Sequence, residues 1–309
     1  MAYFVKKARF KTMNTVADID VCPTKLSDAQ LQQFHESGYI AFRDVLSKSE
    51  VEAAQNAIAE LCNQLVTDKE GVEYTAPLQN QTTLRNHIGG NFKRKGTRLW
   101  MQLEPGFDAS STKDSAEVEL KARKLMGFCE CHEDLGCLIE PSSKLYAVVS
   151  ALIGENPIFF QQMALIKPPF IGSEKPWHQD SAYFSIAPLN AAIGVWIALD
   201  DAHADNGCMH VIPGGHKIGG LKHFHGTDCE IVENRIDASK SVPVTVPAGG
   251  AMFFYAMLPH QTPPNHSPDR RRALQFHFRS ATSEVLDKDA YSSVFVEGDG
   301  SPASCAAAG

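Results

Sequence analysis

The chain has 309 residues, of which 43% are hydrophobic and 21% charged, and a formal net charge of −7 at pH 7. This length suits one large domain or two small ones, and the acidic balance argues against a nucleic-acid-binding protein, whose binding face is usually basic. The sequence shows no apolar run of about eighteen residues and no signal-peptide pattern, so we expect no membrane span.

Eight cysteines without any C-x-x-C pair predict reduced thiols and a cytoplasmic protein. The one cluster, "CECHEDLGC" at residues 129–137, contains Cys129, Cys131 and His132. Its spacing matches no common zinc framework, so a zinc site there is the less favoured interpretation.

Three helices are predicted in the N-terminal half. The capping-box pairs Ser27 with Gln30 and Ser47 with Glu50 open the first two, and a third helix follows Pro141. In the second and third helices, apolar side chains recur at helical spacing.

The segment between the second and third helices, residues 68–96, is polar and irregular. We interpret it as a solvated surface loop. A lid that faces the substrate is the alternative.

From residue 157 onward, short apolar runs alternate with Gly- and Pro-containing turns and no helical pattern intervenes. The last run, "ALQFHFRS", alternates apolar and polar residues, which is typical of a half-buried strand. The sequence predicts a mostly β protein with flanking α-helices: a jelly-roll (double-stranded β-helix, cupin-like) core over 157–280 with a helical N-terminal part over 27–156. We expect one domain over residues 27–290, after a variable segment at 1–26 and before a flexible tail at 291–309.

The pattern H-x-D occurs three times, beginning at His132, His178 and His203. His203 lies in a turn between two strands, and His132 lies in a charged loop or helix, where positions i and i+2 diverge. His178 and Asp180 instead enter an aromatic, apolar segment, and on an extended chain they point to the same side. A buried carboxylate there needs a partner, which is either a metal ion or a structural hydrogen bond.

A third ligand is available at His260, at the end of an apolar strand, and Arg271 follows eleven residues later. Imidazole and carboxylate ligands without a thiolate suit iron(II) in a facial triad, and a guanidinium fork suits the far carboxylate of a dicarboxylate. His216 and His266 are weaker candidates, because they lie in turns. A solvated basic patch over residues 270–272 is the alternative for Arg271.

Four segments in this order resemble the phytanoyl-CoA dioxygenase (PhyH) family of iron(II)/2-oxoglutarate-dependent oxygenases: "QQMALIKPP", "WHQDSAYF", "GVWIALDDAHADNGCMHVIPGGHK" and "HQTPPNHSPDRRRAL". The resemblance covers residues 157–280 and, more weakly, the opening segment; residues 67–141 give no match. It implies His178, Asp180 and His260 as iron ligands and catalytic residues. It implies cosubstrate-binding roles for Arg271, Thr262, Trp196 and Met163, and a role at the site for Asn206. Strand alternation adds Gln161 as a residue that contacts the substrate or the cosubstrate.

Some of these roles have alternatives. Trp196 and Met163 fit plain core packing as well, and Asn206 fits a turn residue without contact to the site. Gln161 shares a strand face with Met163.

The resemblance implies three partners at the site: Fe(II), 2-oxoglutarate and O2. A small-molecule substrate would be oxidised at an unactivated C–H bond while 2-oxoglutarate becomes succinate and CO2. The carboxylate of Asp180 favours hydroxylation, because related halogenases lack it, and desaturation or ring chemistry stays open.

A non-catalytic jelly-roll protein that binds a metal or a small ligand is the alternative, and a metal-dependent hydrolase is a third hypothesis. The sequence does not specify the prime substrate or the oligomeric state.

Overall fold

The computed structural model describes residues 19–77, 89–112, 114–154, 156–225, 228–233 and 235–297. Most of the predicted variable N-terminal segment, the middle of the predicted loop 68–96 and the end of the predicted tail, from residue 298, lie outside the described residues.

The N-terminal helices begin where their capping signals predict. Ser27 and Ser47 each accept a hydrogen bond from the main-chain N–H three residues later, and the side-chain oxygens of Gln30 and Glu50 accept one from the main-chain N–H of the cap residue. Gly38 ends the first helix at φ 85°, a left-handed conformation that glycine adopts without strain. The helices are α1 Asp28–Ser37, α2 Lys48–Thr67, α3 Ser115–Leu120, α4 Glu133–Gly136, α5 Lys144–Ile153 and α6 Lys288–Phe295.

Two antiparallel sheets form the jelly roll, so the predicted mostly β fold is confirmed. The strands are β1 Tyr39–Phe42, β2 Val72–Thr75, β3 Asn91–Arg94, β4 Trp100–Leu103, β5 Ala122–Met126, β6 Ile158–Lys167, β7 Lys175–His178, β8 Ile186–Ala187, β9 Ala192–Ala198, β10 Met209–Val211, β11 His223–His225, β12 Cys229–Ile231, β13 Val242–Val244, β14 Ala251–Tyr255, β15 His260–Thr262, β16 Arg271–Arg279 and β17 Glu284–Val285. The larger sheet has the order β1-β14-β9-β16-β6-β5-β4-β3-β2, and the smaller one β13-β10-β15-β7.

Two packed layers cover the two faces of the larger sheet. On one face, α2 and α5 bury side chains such as Ile58 and Val148 against Val195 and Phe276 of the sheet. On the other face, Trp196 and its neighbours pack against the smaller sheet. The strands β14, β9 and β16 of the larger sheet are therefore buried on both sides, and polar side chains on their inner face need partners inside the protein.

The expectation of an irregular loop over residues 68–96 is wrong for the described ends of that segment. β2 and β3 lie at the two ends of that segment, and β4 and β5 join them to the larger sheet through β6. Each of these strands has only four or five residues, and β2 alternates between half-buried and exposed positions. Such short strands near a sheet edge contain too few apolar residues to give a clear period-2 pattern.

The predicted flexible tail also begins too early. Within α6, Tyr291 and Phe295 are buried, and Asp287 caps the helix by accepting hydrogen bonds from two main-chain N–H groups. Two apolar residues four apart are enough to dock one helical turn but too few for a recognisable amphipathic pattern. The other domain limits proposed from the sequence stay a prediction.

The cysteines agree with the expectation of reduced thiols at six positions and depart from it at one. Cys22, Cys62, Cys129, Cys131, Cys137 and Cys208 are free thiols, and Cys229 is disulfide-bonded.

One stretch, residues 133–153, is long and apolar enough to cross a membrane as a helix. The structure divides it into α4, a 3-10 turn at Cys137–Ile139 and α5. The apolar side of α5 packs into the protein core.

The helix layer gives a direct test of this packing. Ile58 on α2 is fully buried, and we expect Ile58→Ala to lower the free energy of unfolding by about 2–5 kcal/mol, because it leaves a cavity. Urea unfolding followed by circular dichroism measures the loss. Glu52→Ala on the exposed side of α2 is the control, with an expected change of at most about 0.5 kcal/mol; equal effects of the two substitutions would contradict the packing.

Candidate active site

Three candidate ligands from two parts of the chain meet at one point. β7 and β15 are paired with His178 opposite His260, and Asp180 lies two residues beyond the end of β7. Oδ1 of Asp180 is 3.3 Å from Nε2 of His178 and 3.6 Å from Nε2 of His260. All three side chains are buried, and their ligand atoms lie within 4.8 Å of one another. Within the described ranges, no other His, Cys, Asp or Glu side chains gather in this way.

Main-chain carbonyls orient both imidazoles toward this point. Nδ1 of His178 donates to the oxygen of Pro176 (2.8 Å), and Nδ1 of His260 donates to that of Leu258 (2.9 Å). Because a carbonyl only accepts, each Nδ1 carries the proton and each Nε2 keeps its lone pair for a metal.

The residue between the first two ligands fixes the turn that presents them. The amide of Gln179 donates to the oxygens of Gly219 (2.9 Å) and Met257 (2.7 Å) and accepts from the N–H of Leu221 (2.8 Å). Its own N–H donates to Nε2 of His223 (3.0 Å). This fully buried side chain therefore ties the ligand-bearing turn to two other segments, one at residues 219–221 and one at Met257.

The electrostatics match a divalent cation. Burial on its own raises the pKa of Asp180, but His260, His277 and hydrogen bonds to the carboxylate hold the pKa well below its usual range. Burial and the neighbouring His178 lower the pKa of His260 to about 3. At neutral pH the ionised carboxylate of Asp180 and the neutral imidazole of His260 therefore lie beside His178. A set of one carboxylate and two imidazole ligands fits iron(II).

Arg271 is a buried cation that no described carboxylate neutralises. Its side chain is 1% exposed, its guanidinium donates to the main-chain oxygen of Leu165 (3.1 Å), and Nε has no partner within the described residues. The guanidinium lies 5.4 Å from the ring centroid of Trp196. Burial lowers the pKa of Arg271 to about 10, so it stays charged at neutral pH and requires an anion.

A cavity of about 340 Å³ joins these groups. It is lined by His178, Asp180, His260 and Arg271, and by three more of the predicted site residues: Thr262, Met163 and Gln161.

The two remaining predicted residues do not line this cavity. Trp196 is fully buried behind Arg271. The amide of Asn206 closes a turn, where it accepts from the N–H of His203 (2.9 Å) and donates to the oxygen of Asp201 (2.7 Å). The interpretation of Asn206 as a turn residue therefore fits its contacts.

The rival metal sites do not assemble. His132 contacts Glu60 and His203 contacts Asp269, while the ring of His216 stacks on Tyr255. The thiols of the cysteine cluster donate to three separate main-chain oxygens. The interpretation of this cluster as a zinc site is therefore wrong for the described residues.

Two residues at the site were missed because their strand was interpreted as half-buried. Gln275 and His277 are 4% and 0% exposed, so that interpretation is wrong. Nε2 of Gln275 (3.0 Å) and Nε2 of His277 (2.8 Å) both lie against Oδ2 of Asp180. Their parity with Arg271 along β16 was the available signal, since alternate residues of a strand share a face.

A third missed residue is Lys124 on β5, which lines the cavity without an ion pair to any described carboxylate. Burial lowers the pKa of Lys124 to about 8. The neighbouring cations differ, because Lys175 and Arg123 share Asp228 at 2.6 and 3.2 Å.

The comparisons with known proteins agree with this geometry. The family model described as phytanoyl-CoA dioxygenase (PhyH) matches residues 34–273. Phytanoyl-CoA dioxygenase domain-containing protein 1 of Danio rerio is 26% identical over 269 residues, which cover 84% of this chain and 92% of the zebrafish protein.

Two solved structures show the same fold. EvdO2 from Micromonospora carbonacea var. aurantiaca, complexed with 2-oxoglutarate, is 21% identical with a TM-score of 0.58 and covers 87% of this chain and 96% of its own. The epimerase SnoN, in complex with Fe3+, alpha ketoglutarate and nogalamycin RO, is 16% identical with a TM-score of 0.57. The match covers 84% of this chain and 86% of the SnoN chain.

Metal binding tests the meeting of the three ligands. We expect His260→Ala to weaken Mn(II) binding at least about 100-fold, because a direct ligand should matter more than an outer partner, whose loss costs about 10–100-fold. Isothermal titration calorimetry with Mn(II) alone measures the affinity. His203→Ala, from another H-x-D pattern, is the control and should leave the affinity unchanged; unchanged affinity in His260→Ala would contradict the site.

Proposed function

The chain belongs to the phytanoyl-CoA dioxygenase family of iron(II)- and 2-oxoglutarate-dependent oxygenases, and from this premise we propose that it hydroxylates an unactivated C–H bond of a small molecule. In this reaction 2-oxoglutarate is converted to succinate and CO2. One observation carries the proposal: the trio of His178, Asp180 and His260 lines the same cavity as Arg271, a buried guanidinium without a described acidic partner.

The trio would hold iron(II) through two Nε2 atoms and one carboxylate oxygen. Bound iron supplies the activation of O2 that oxidation of a C–H bond requires. The side chains of the chain bind and orient the reactants, and we assign no side-chain nucleophile or general base.

The cavity matches the charge of the cosubstrate. 2-Oxoglutarate carries two carboxylates, and Arg271 and Lys124 are cavity cations that no described carboxylate neutralises. The guanidinium fork can hold one carboxylate through two parallel hydrogen bonds, and the hydroxyl of Thr262, which lines the same cavity, can donate to it. Trp196 supports the guanidinium from behind.

The same charges weigh against the alternative of a protein that only binds a metal. A metal-binding jelly roll needs the trio but gains nothing from burying Arg271, and an uncompensated buried charge costs free energy. An anionic ligand in the cavity offsets that cost.

The prime substrate would enter next to the cosubstrate. At about 340 Å³ the cavity lies at the lower end of ligand-binding pockets, so after the cosubstrate binds it has room only for the reacting part of a substrate. Trp100, Met126 and Phe184 give this part apolar walls, and Asn91 and Gln102 add uncharged polar groups. We propose a small molecule whose reacting part is uncharged.

Succinate formation tests the proposed function. The protein is supplied with iron(II), 2-oxoglutarate and O2, with and without a broad panel of small metabolites. We expect slow succinate formation without substrate and faster formation with a true one. Absence of any turnover across the panel would favour the non-catalytic alternative.

Arg271→Ala separates cosubstrate binding from metal binding. We expect the affinity for 2-oxoglutarate to fall about 10–150-fold, which corresponds to about 1.5–3 kcal/mol for charge-assisted hydrogen bonds, while Mn(II) affinity stays unchanged. Calorimetric titrations of both ligands measure this. Arg271→Lys should recover part of the loss, because it keeps the charge but not the fork. Unchanged 2-oxoglutarate affinity in both variants would refute the role of Arg271.

Lys124 predicts a pH dependence of cosubstrate binding. Below pH 8 Lys124 is protonated and attracts the dianion; as the pH rises through about 8 the free protein loses this charge, so we expect the affinity for 2-oxoglutarate to fall. Titrations of the Mn(II)-loaded protein between pH 7 and 9 measure the slope. In Lys124→Arg, whose charge persists, the slope should disappear; an identical slope in this variant would assign the pH dependence to another group.

A further inference from the structure

The two oxygens of Asp180 have different partners. Oδ1 faces Nε2 of His178 (3.3 Å) and Nε2 of His260 (3.6 Å), the two imidazole atoms available to a metal. Oδ2 faces away from them, toward Nε2 of Gln275 (3.0 Å) and Nε2 of His277 (2.8 Å). The carboxylate is thus divided between a metal-facing and a protein-facing oxygen.

Both contacts to Oδ2 are donated by the protein. An ionised carboxylate only accepts hydrogen bonds, so the Gln275 amide presents its NH2 group and His277 carries a proton on Nε2. Two donors on one oxygen satisfy that oxygen and compete with a metal for its lone pairs.

The two donors are held rigidly. Gln275 and His277 are alternate residues of β16, which is paired with β6 on one side and β9 on the other. A register shift in the pairing with β6 falls just after His277, and such irregularities commonly redirect a side chain beside an active site. The ring of Phe184 packs against the imidazole of His277 with centroids 4.9 Å apart.

We infer that Gln275 and His277 are positioning residues that restrict Asp180 to a single metal-binding oxygen. By holding Oδ2 they keep the carboxylate from binding through both oxygens, so the position that the second oxygen would occupy stays open for 2-oxoglutarate. This inference rests on the proposed function, because it requires that the trio holds a metal and that 2-oxoglutarate binds to it.

The inference predicts a separation of two affinities. Without the two donors, Oδ2 of Asp180 becomes free to turn toward the metal. A second oxygen on the metal compensates for part of the metal affinity that is lost when the carboxylate is no longer held in place. The same oxygen occupies the position that 2-oxoglutarate needs. We therefore expect His277→Leu to weaken 2-oxoglutarate binding to the Mn(II)-loaded protein about 10–100-fold, with a smaller change in the affinity for Mn(II) itself. Gln275→Leu should act in the same direction.

Calorimetry with Mn(II) alone and then with 2-oxoglutarate measures both affinities. The visible absorption spectrum of the Co(II)-loaded protein reports the coordination number independently of any turnover. We expect this spectrum to change in His277→Leu and to return toward that of the original protein in His277→Gln, whose amide nitrogen stands close to the position of the imidazole Nε2. His210→Leu on β10, which does not touch Asp180, is the matched control and should leave both affinities and the spectrum unchanged.

The outcomes separate the inference from the function on which it rests. If the original protein binds neither Mn(II) nor 2-oxoglutarate, the proposed function is wrong and the inference falls with it. If it binds both, and the folded His277→Leu and Gln275→Leu variants match it in both affinities and in the Co(II) spectrum, the inference alone is wrong. Should His277→Leu not fold, the other two variants decide. Weakened 2-oxoglutarate binding in Gln275→Leu together with retained 2-oxoglutarate binding in His277→Gln supports the inference. Any other pair of results overturns it.

Discussion

The carboxylate of Asp180 is almost fully buried, and three strands together supply the partners that it needs. Burying an ionised carboxylate without partners is costly, so both of its oxygens must be satisfied by other groups. β7 and β15 bring two imidazoles to one oxygen, and β16 brings two donors to the other. The jelly roll supplies this arrangement, because its smaller sheet pairs β7 with β15 and its larger sheet faces them with β16.

The charges of the cavity complement this carboxylate. Cations at Arg271 and Lys124 have no acidic partner among the described residues, whereas Lys175 and Arg123 are paired through Asp228. A fold that buries such cations gains by binding a dianion in the same cavity, since the ligand supplies the missing partners. The site is therefore complementary to a metal ion at one end and to an organic dianion along its walls.

The sequence predicts those parts of the structure that local chemistry decides. The capping boxes at Ser27 and Ser47 determine where α1 and α2 begin, and the spacing of His178 and Asp180 places both side chains on one side of an extended chain. The spacing of residues does not show which distant segments of the chain meet. His260 and Arg271 could be assigned to the site because the family resemblance supplied this information.

The parts that the sequence did not reveal depend on tertiary context. Strands β2 to β5 contain too few apolar residues for a clear period-2 pattern. The sequence therefore did not show that Lys124 lies on a strand. Gln275 and His277 looked like the solvent side of a strand, because a polar residue that faces an internal cavity and one that faces water give the same alternation. Only the covering of the larger sheet by a second layer distinguishes the two.

The most direct test of the central claim is a crystal structure of the protein grown without oxygen in the presence of Mn(II) and 2-oxoglutarate. We predict that the metal binds Nε2 of His178, Nε2 of His260 and one oxygen of Asp180, and that a carboxylate of 2-oxoglutarate lies on the guanidinium of Arg271. A metal bound elsewhere, or a cosubstrate that leaves Arg271 without an anionic partner, would contradict the account.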